Sequence, residues 1–390
     1  MLNRVWNRSS CSMLGRLAGS SLGVGLATGL SVGVMLGGCA SSSPRPLAQT
    51  SPEERLAKTD IDDAAYAKLG YRRDWSGFPV VMPGGSIRQV TVADDLVLVQ
   101  DTGTTVTALS ASNGSPVWAQ QLGSPLTRFY GLDRVDAGVL VSSDAEAFVI
   151  DVKSGTYRSR HAFDKVINTP PVVVGDLAFY GTSVGELLSH RISNGLKYRG
   201  VALSGAITQP PVRVGGLIGA VNQSGEVMFV DASTATLQSR AKVFGGLATR
   251  PISDGNAMYF ACLDQSVYAY SPAGTQIWRF KTAASLRSQP AIFAGTIFVT
   301  VPGEGMVALD AGMGTVKWRN SALAGEVIAV RKNDLIVWDG SFLNRVDAVH
   351  GEIVAKFKMN GVAQYVVDKF EDGALFAVST SGVVTRFVTR

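Results

Sequence analysis

From Tyr71 onward the chain is written in short apolar runs, each cut off by Gly, Asn, Asp or Ser before it reaches helical length. Over 291–321 the runs are AIF, TIFVT, GMVALD and TVKWR. β-Branched and aromatic residues fill them and turn residues separate them, so the pattern predicts four strands in a unit of about forty positions. The unit recurs. Pro171, Pro211, Pro251 and Pro290 open equivalent runs, spaced 40, 40 and 39 apart along the chain. A second marker keeps the same period: Gly114, Gly155, Gly195, Ala235, Gly274, Gly314 and Gly351 are separated by 41, 40, 40, 39, 40 and 37. Two independent markers with one period define a repeat architecture, and four strands per repeat is the plan of a propeller blade.

Each unit carries its own framework signals. Asp151, Asp231, Asp310 and Asp347 stand four positions before the turn marker, where a carboxylate accepts backbone N–H groups. Trp118, Trp278 and Trp318 follow the marker by four positions, on the predicted fourth strand, where a large ring is placed to pack against the next blade. The stretch from Tyr71 to Arg390 divides into eight such units, with seven blades as the alternative. The last unit stops after three strands. Its missing outer strand is expected from residues 73–78, which places Trp75 where the other units carry their Trp. The fold class is therefore an all-β, eight-bladed propeller over residues 71–390.

The unit Ala308-Leu309-Asp310-Ala311-Gly312-Met313-Gly314-Thr315-Val316-Lys317-Trp318 resembles the A-x-D-x-x-x-G-x-x-x-W repeat of PQQ-like (quinoprotein-type) β-propellers. The motif specifies the fold far better than an activity. The nearest resemblance is to the lipoprotein members of that family that serve outer-membrane β-barrel assembly. In those members an inter-blade loop after the third blade engages the partner through Leu and Arg, and the next such loop is acidic. The matching segments here are Leu203–Gln209, without Arg, and Phe244–Arg250, without an acid and with a base, so no partner-binding residue is carried over.

The chain before Tyr71 is written differently. Residues 1–16 are basic, 17–36 are uncharged and apolar, and Leu36-Gly37-Gly38-Cys39 follows at once. This has the form of a lipoprotein signal: residues 1–38 are read as a cleaved signal peptide and Cys39 as the lipidated residue. A transmembrane helix with Gly25, Gly29, Gly33 and Gly37 as a packing stripe is the competing reading, disfavoured because the apolar run ends in the lipobox itself. Residues 39–70 read as a lipid-anchored tether with short helical content, Ser51-Pro52-Glu53-Glu54 having the form of a capping box. Ala40 after the anchor implies sorting to the outer membrane, facing the periplasm.

Composition narrows the function classes. Of 36 basic residues, three precede Cys39 and none of the 31 acids does, leaving 33 against 31. That near balance gives no electrostatic footprint for nucleic acid. The cysteines are Cys11, Cys39 and Cys262, so the propeller keeps a single thiol in an apolar strand, expected to be a buried small side chain. His161, His190 and His350 fall in separate units without ligand spacing, and no metal or other cofactor is expected. Aligning the segments that lead into each innermost strand assembles Arg128, Asn168, Thr169, Gln209, Arg250, Arg287 and Gln364 as a partner-binding rim at one channel mouth. Glu326 is the one acid near these positions.

The reading is a non-catalytic, lipid-anchored envelope scaffold that binds other envelope proteins, with outer-membrane protein assembly as its context. A PQQ-dependent oxidoreductase, which would retain a chromophore on purification, is the first alternative. A cell-wall or glycan-binding propeller, which would stay on stripped wall material, is the second.

Overall fold

The computed structural model describes residues 51–59, 61–124 and 126–390. The signal-peptide and Cys39 assignments lie outside them. Within 51–390 the architecture is eight four-stranded antiparallel sheets, so the count is eight and the seven-blade alternative falls. Blade 1 is made of Ile87–Ala93, Leu96–Asp101, Thr105–Ser110 and Pro116–Gln121, in that order from the axis outward. Blades 2 to 7 repeat the order over 129–162, 172–202, 212–242, 252–281, 291–320 and 326–358. Blade 8 takes Val362–Val367, Leu375–Ser379 and Val384–Thr389, and its outer strand is Tyr71–Gly77 from the other end of the chain. The pairing runs antiparallel from Tyr71 opposite Thr389 to Gly77 opposite Val384.

The middle strands are apolar on both faces because each blade is covered on both sides. Eight apolar clusters form, one per seam. In blade 6, for example, Ile297 and Val299 turn toward blade 5 while Phe298 turns toward blade 7. The outer strands instead alternate, as in Gln276–Lys281, where Trp278 is buried between exposed neighbours.

The turn marker and the Trp meet across seams. Trp75, Trp118, Trp278 and Trp318 each donate an indole N–H to a backbone carbonyl of the following blade: Ala111, Val152, Ala311 and Ala348, at 3.0, 2.7, 2.8 and 3.0 Å. Each ring lies against that blade's turn glycine. A Cβ built on Gly155 would stand 2.7 Å from Trp118, and one on Gly314 would stand 2.6 Å from Trp278. Those glycines also have φ of +70°. They are therefore required twice, for backbone conformation and for the ring. The markers of blades 3, 4 and 5 have no Trp over them: Gly195 lies under His161, Gly274 lies against Ser239, and in blade 4 the marker is itself Ala235, at φ +52°. The turn aspartates accept N–H groups from two and three positions ahead, as Asp310 does from Gly312 and Met313 at 3.0 Å. These bonds hold the Asp310 carboxyl below its ordinary range.

Two short helices precede the ring. α1, Pro52–Ala57, has Ser51 as N-cap in a reciprocal capping box with Glu54, and α2, Asp63–Lys68, is capped by Asp62. Both are fastened to the propeller rather than standing clear of it. Arg55 donates to the carbonyls of Pro79, Ser381 and Gly382. Tyr66 and Leu69 are buried in the seam between blades 7 and 8, where the Tyr66 ring stacks on Phe387 and its hydroxyl meets that of Tyr365 at 2.7 Å. Buried Arg331 gathers the closure: it pairs with Asp372 and donates to the carbonyls of Arg390 and Gly70.

One inward-facing acid stands against this economy. Asp133, at the seam between blades 2 and 3, has its Oδ2 buried without a hydrogen-bond partner, and burial pushes the carboxyl from 3.8 up to about 7. The native state therefore keeps a proton that the unfolded chain releases, and this group's contribution to stability declines as pH rises from about 4 to 7. Asp133→Asn is expected to remove that decline, on the order of 3 kcal/mol across the window. Urea unfolding of both proteins at pH 5 and pH 8 measures it; an unchanged pH slope in the variant would refute the assignment.

Candidate functional site: the channel mouth

The segments that connect an outer strand to the next innermost strand gather at one rim, and there the structure sorts the expected residues. Gln209, Arg250 and Arg287, from the segments leading into blades 4, 5 and 6, line one cleft of about 490 Å³ together with Pro210, Thr249, Gln289 and Glu326. Arg250 and Arg287 are exposed, and among the described residues their guanidiniums have no partner. Gln289 ties the walls together: its side chain accepts from the Arg250 N–H at 3.2 Å and donates to the Arg250 carbonyl at 3.1 Å. Its own N–H donates to Glu326 at 2.9 Å. The cleft therefore presents two guanidiniums and one carboxylate, already engaged by a backbone N–H, in a shape open to solvent. Such a mouth is suited to a carboxylate-bearing ligand, which a guanidinium meets in bidentate fashion.

The other expected members do not join it. Arg128 is exposed immediately before blade 2, and Asn168 lies between blades 2 and 3 with its N–H donated to the Gly181 carbonyl at 2.8 Å. Thr169 is fully buried and its hydroxyl accepts from the Gly181 N–H at 2.8 Å, which makes it framework. Gln364 lies within the innermost strand Val362–Val367, beside a register shift, not in a loop before it. Gln289 is the member that sequence reasoning overlooks, although it directly precedes Pro290 as Arg250 directly precedes Pro251.

The remaining chemistry is sparse. Cys262 is fully buried, with its Sγ 3.1 Å from the Gly245 carbonyl, and burial pushes the thiol up to about 12. A thiol so held is not a nucleophile at neutral pH. Among the described residues no three His, Cys, Asp or Glu side chains come together, and none of the helices is long and apolar enough to cross a membrane. A quinone cofactor with its Ca²⁺ needs several oxygen donors converging on one point. The mouth offers the single carboxylate of Glu326 between two arginines, so these residues do not fit that group.

The fold and its repeat define the class, an eight-bladed PQQ-like propeller. The sequence profile of the family described as "Outer membrane protein assembly factor BamB" matches residues 58–273 and 263–385, and the chain belongs to that family. It is 30% identical over 126 residues to the outer membrane protein assembly factor BamB of Burkholderia pseudomallei (strain K96243). That match spans 32% of this chain and 33% of the relative. Among solved structures, BamB from Moraxella catarrhalis aligns with a TM-score of 0.64 at 15% identity, over 81% of this chain and 98% of that one. The computationally designed Ika8 protein aligns equally well, with a TM-score of 0.65 at 12% identity over 82% and 99%. At such identities the structural matches speak for the fold alone.

Proposed function

We propose that this protein is a non-catalytic scaffold of the cell envelope, anchored by a lipid on Cys39, that serves outer-membrane β-barrel protein assembly from the periplasmic side. Family membership supplies the context. The mouth cleft carries the reading: Gln209, Arg250 and Arg287 converge from three adjacent blades with both guanidiniums free of partners, which fits an acidic segment of a partner protein. Arg128 and Asn168 extend the same rim toward blades 2 and 3.

The test is photocrosslinking in living cells from positions 250 and 287, with mass spectrometry of the products. Recovery of specific envelope proteins from each position, lost when the other arginine is reversed in charge (Arg287→Glu with the probe at 250, Arg250→Glu with the probe at 287), is the expected result. Products no different from those of a probe on the exposed outer strand at Lys356 would overturn it. Incorporation of a labelled fatty acid into the native protein but not into Cys39→Ser checks the anchor separately.

A further inference from the structure

The seam between blades 2 and 3 is built unlike its neighbours. Where four other seams set a Trp on the turn glycine, here His161 of the outer strand Tyr157–Ala162 lies over Gly195. Facing it is His190 of blade 3, with the ring centroids 5.9 Å apart. His190 is 2% exposed, and the Nε2 atoms of both rings are buried without a hydrogen-bond partner. The edge of Phe163 closes over His190 at 5.1 Å. Further along the seam Ser142 bonds the Tyr180 hydroxyl at 2.8 Å, near the unpartnered Asp133. A polar line thus runs along an interface that is apolar elsewhere, and orphaned buried polar groups make it costly to keep shut.

We propose that this seam is the ring's acid-responsive joint, loosening locally when the buried His190 that faces His161 takes up a proton while the Trp-locked seams stay closed. Two imidazoles at this separation cannot both be charged in a dry interface without repulsion. The carboxylates that could compensate are already taken. Asp164, after the His161 strand, is bonded by Lys197 at 3.0 Å, and Asp176, in the turn opposite, holds Ser193 and lies 3.9 Å from Arg191. On the histidines' own strands Arg158 and Arg160 pair with Asp151 and Glu146, and Glu186 pairs with Lys197. Burial and the neighbouring His161 push His190 down from 6.5 to about 4. The folded state therefore resists a proton that the opened state accepts, and closure is progressively lost as pH falls below about 6.5. Loosening here would free the segment carrying Ile167, Asn168 and Thr169, which enters the rim from this seam.

Hydrogen exchange on the purified full-length protein at pH 5.0 and 7.5, with labelling times scaled to the intrinsic rate, tests this in an Asp133→Asn background, because that carboxyl strengthens the same seam as pH falls. Protection of strands 157–162 and 186–191 is expected to fall at pH 5.0 by about tenfold or more relative to strand 276–281 of the Trp278 seam, the effect of one unit of pKa shift. Adding His161→Phe with His190→Leu is expected to abolish that extra loss. Equal losses at the two seams in Asp133→Asn would overturn the proposal, as would an extra loss that persists when both histidines are replaced. Should the variant without the histidines fail to fold, the comparison between seams within Asp133→Asn still decides.

Discussion

Gly314→Ala is expected to destabilise the protein by about 2–5 kcal/mol, measured by denaturant unfolding. The added methyl must adopt a left-handed backbone, costing about 1–2 kcal/mol, and it enters the space held by the Trp278 ring, an overpacking worth about 1–3 kcal/mol. The second part depends on the ring, so the two positions are coupled. Trp278→Ala alone should cost about 3–5 kcal/mol through its cavity, but in that background Gly314→Ala should cost only the backbone part. A double-mutant cycle returning simple additivity would show that the ring and the turn glycine do not form one lock. Ala235 already shows the uncoupled case, an alanine held at positive φ in a marked turn with no indole above it.

Arg331→Leu is expected to cost about 2–4 kcal/mol and to expose the N-terminal segment first. The guanidinium is 8% exposed and is shared between Asp372 and two backbone carbonyls, those of Gly70 and Arg390. Asp372 is more than half exposed and can find water, and the Gly70 carbonyl keeps the Arg390 N–H at 3.0 Å, so the main loss is the buried bridge that holds Gly70, Arg390 and Asp372 together. Limited proteolysis should cut within positions 51–70 of the variant while the blades remain resistant. Uniform digestion of the whole chain would place Arg331 in the general core rather than at the closure.

The blade count is legible in the sequence because it rests on punctuation. Turn glycines and strand-opening prolines are local requirements of the backbone, and a fixed period between them survives whatever the strands pack against. The three-stranded final unit likewise points to the other end of the chain for its fourth strand. The mouth is only partly legible. Equivalent offsets in successive units do not reach equal depth: Thr169 turns inward to cap a backbone N–H, Gln364 sits inside a strand, and Gln209, Arg250 and Arg287 open onto one cleft. The histidine seam cannot be read from spacing at all. His161 and His190 belong to different units and meet only because outer and middle strands of successive blades face each other.

The closure of blade 8 also orders events in time. Tyr71–Gly77 is among the first propeller segments to be synthesised, and its partner Val384–Thr389 is the last. Joining them closes a loop that contains all seven other blades, a contact whose entropy must be met before it returns any stability. Blades 1 to 7 can each form from contiguous chain, but blade 8 cannot be completed until Val384–Thr389 is free to pair with Tyr71–Gly77. The ring therefore carries its own delay: it locks last, whatever order the other seven blades form in.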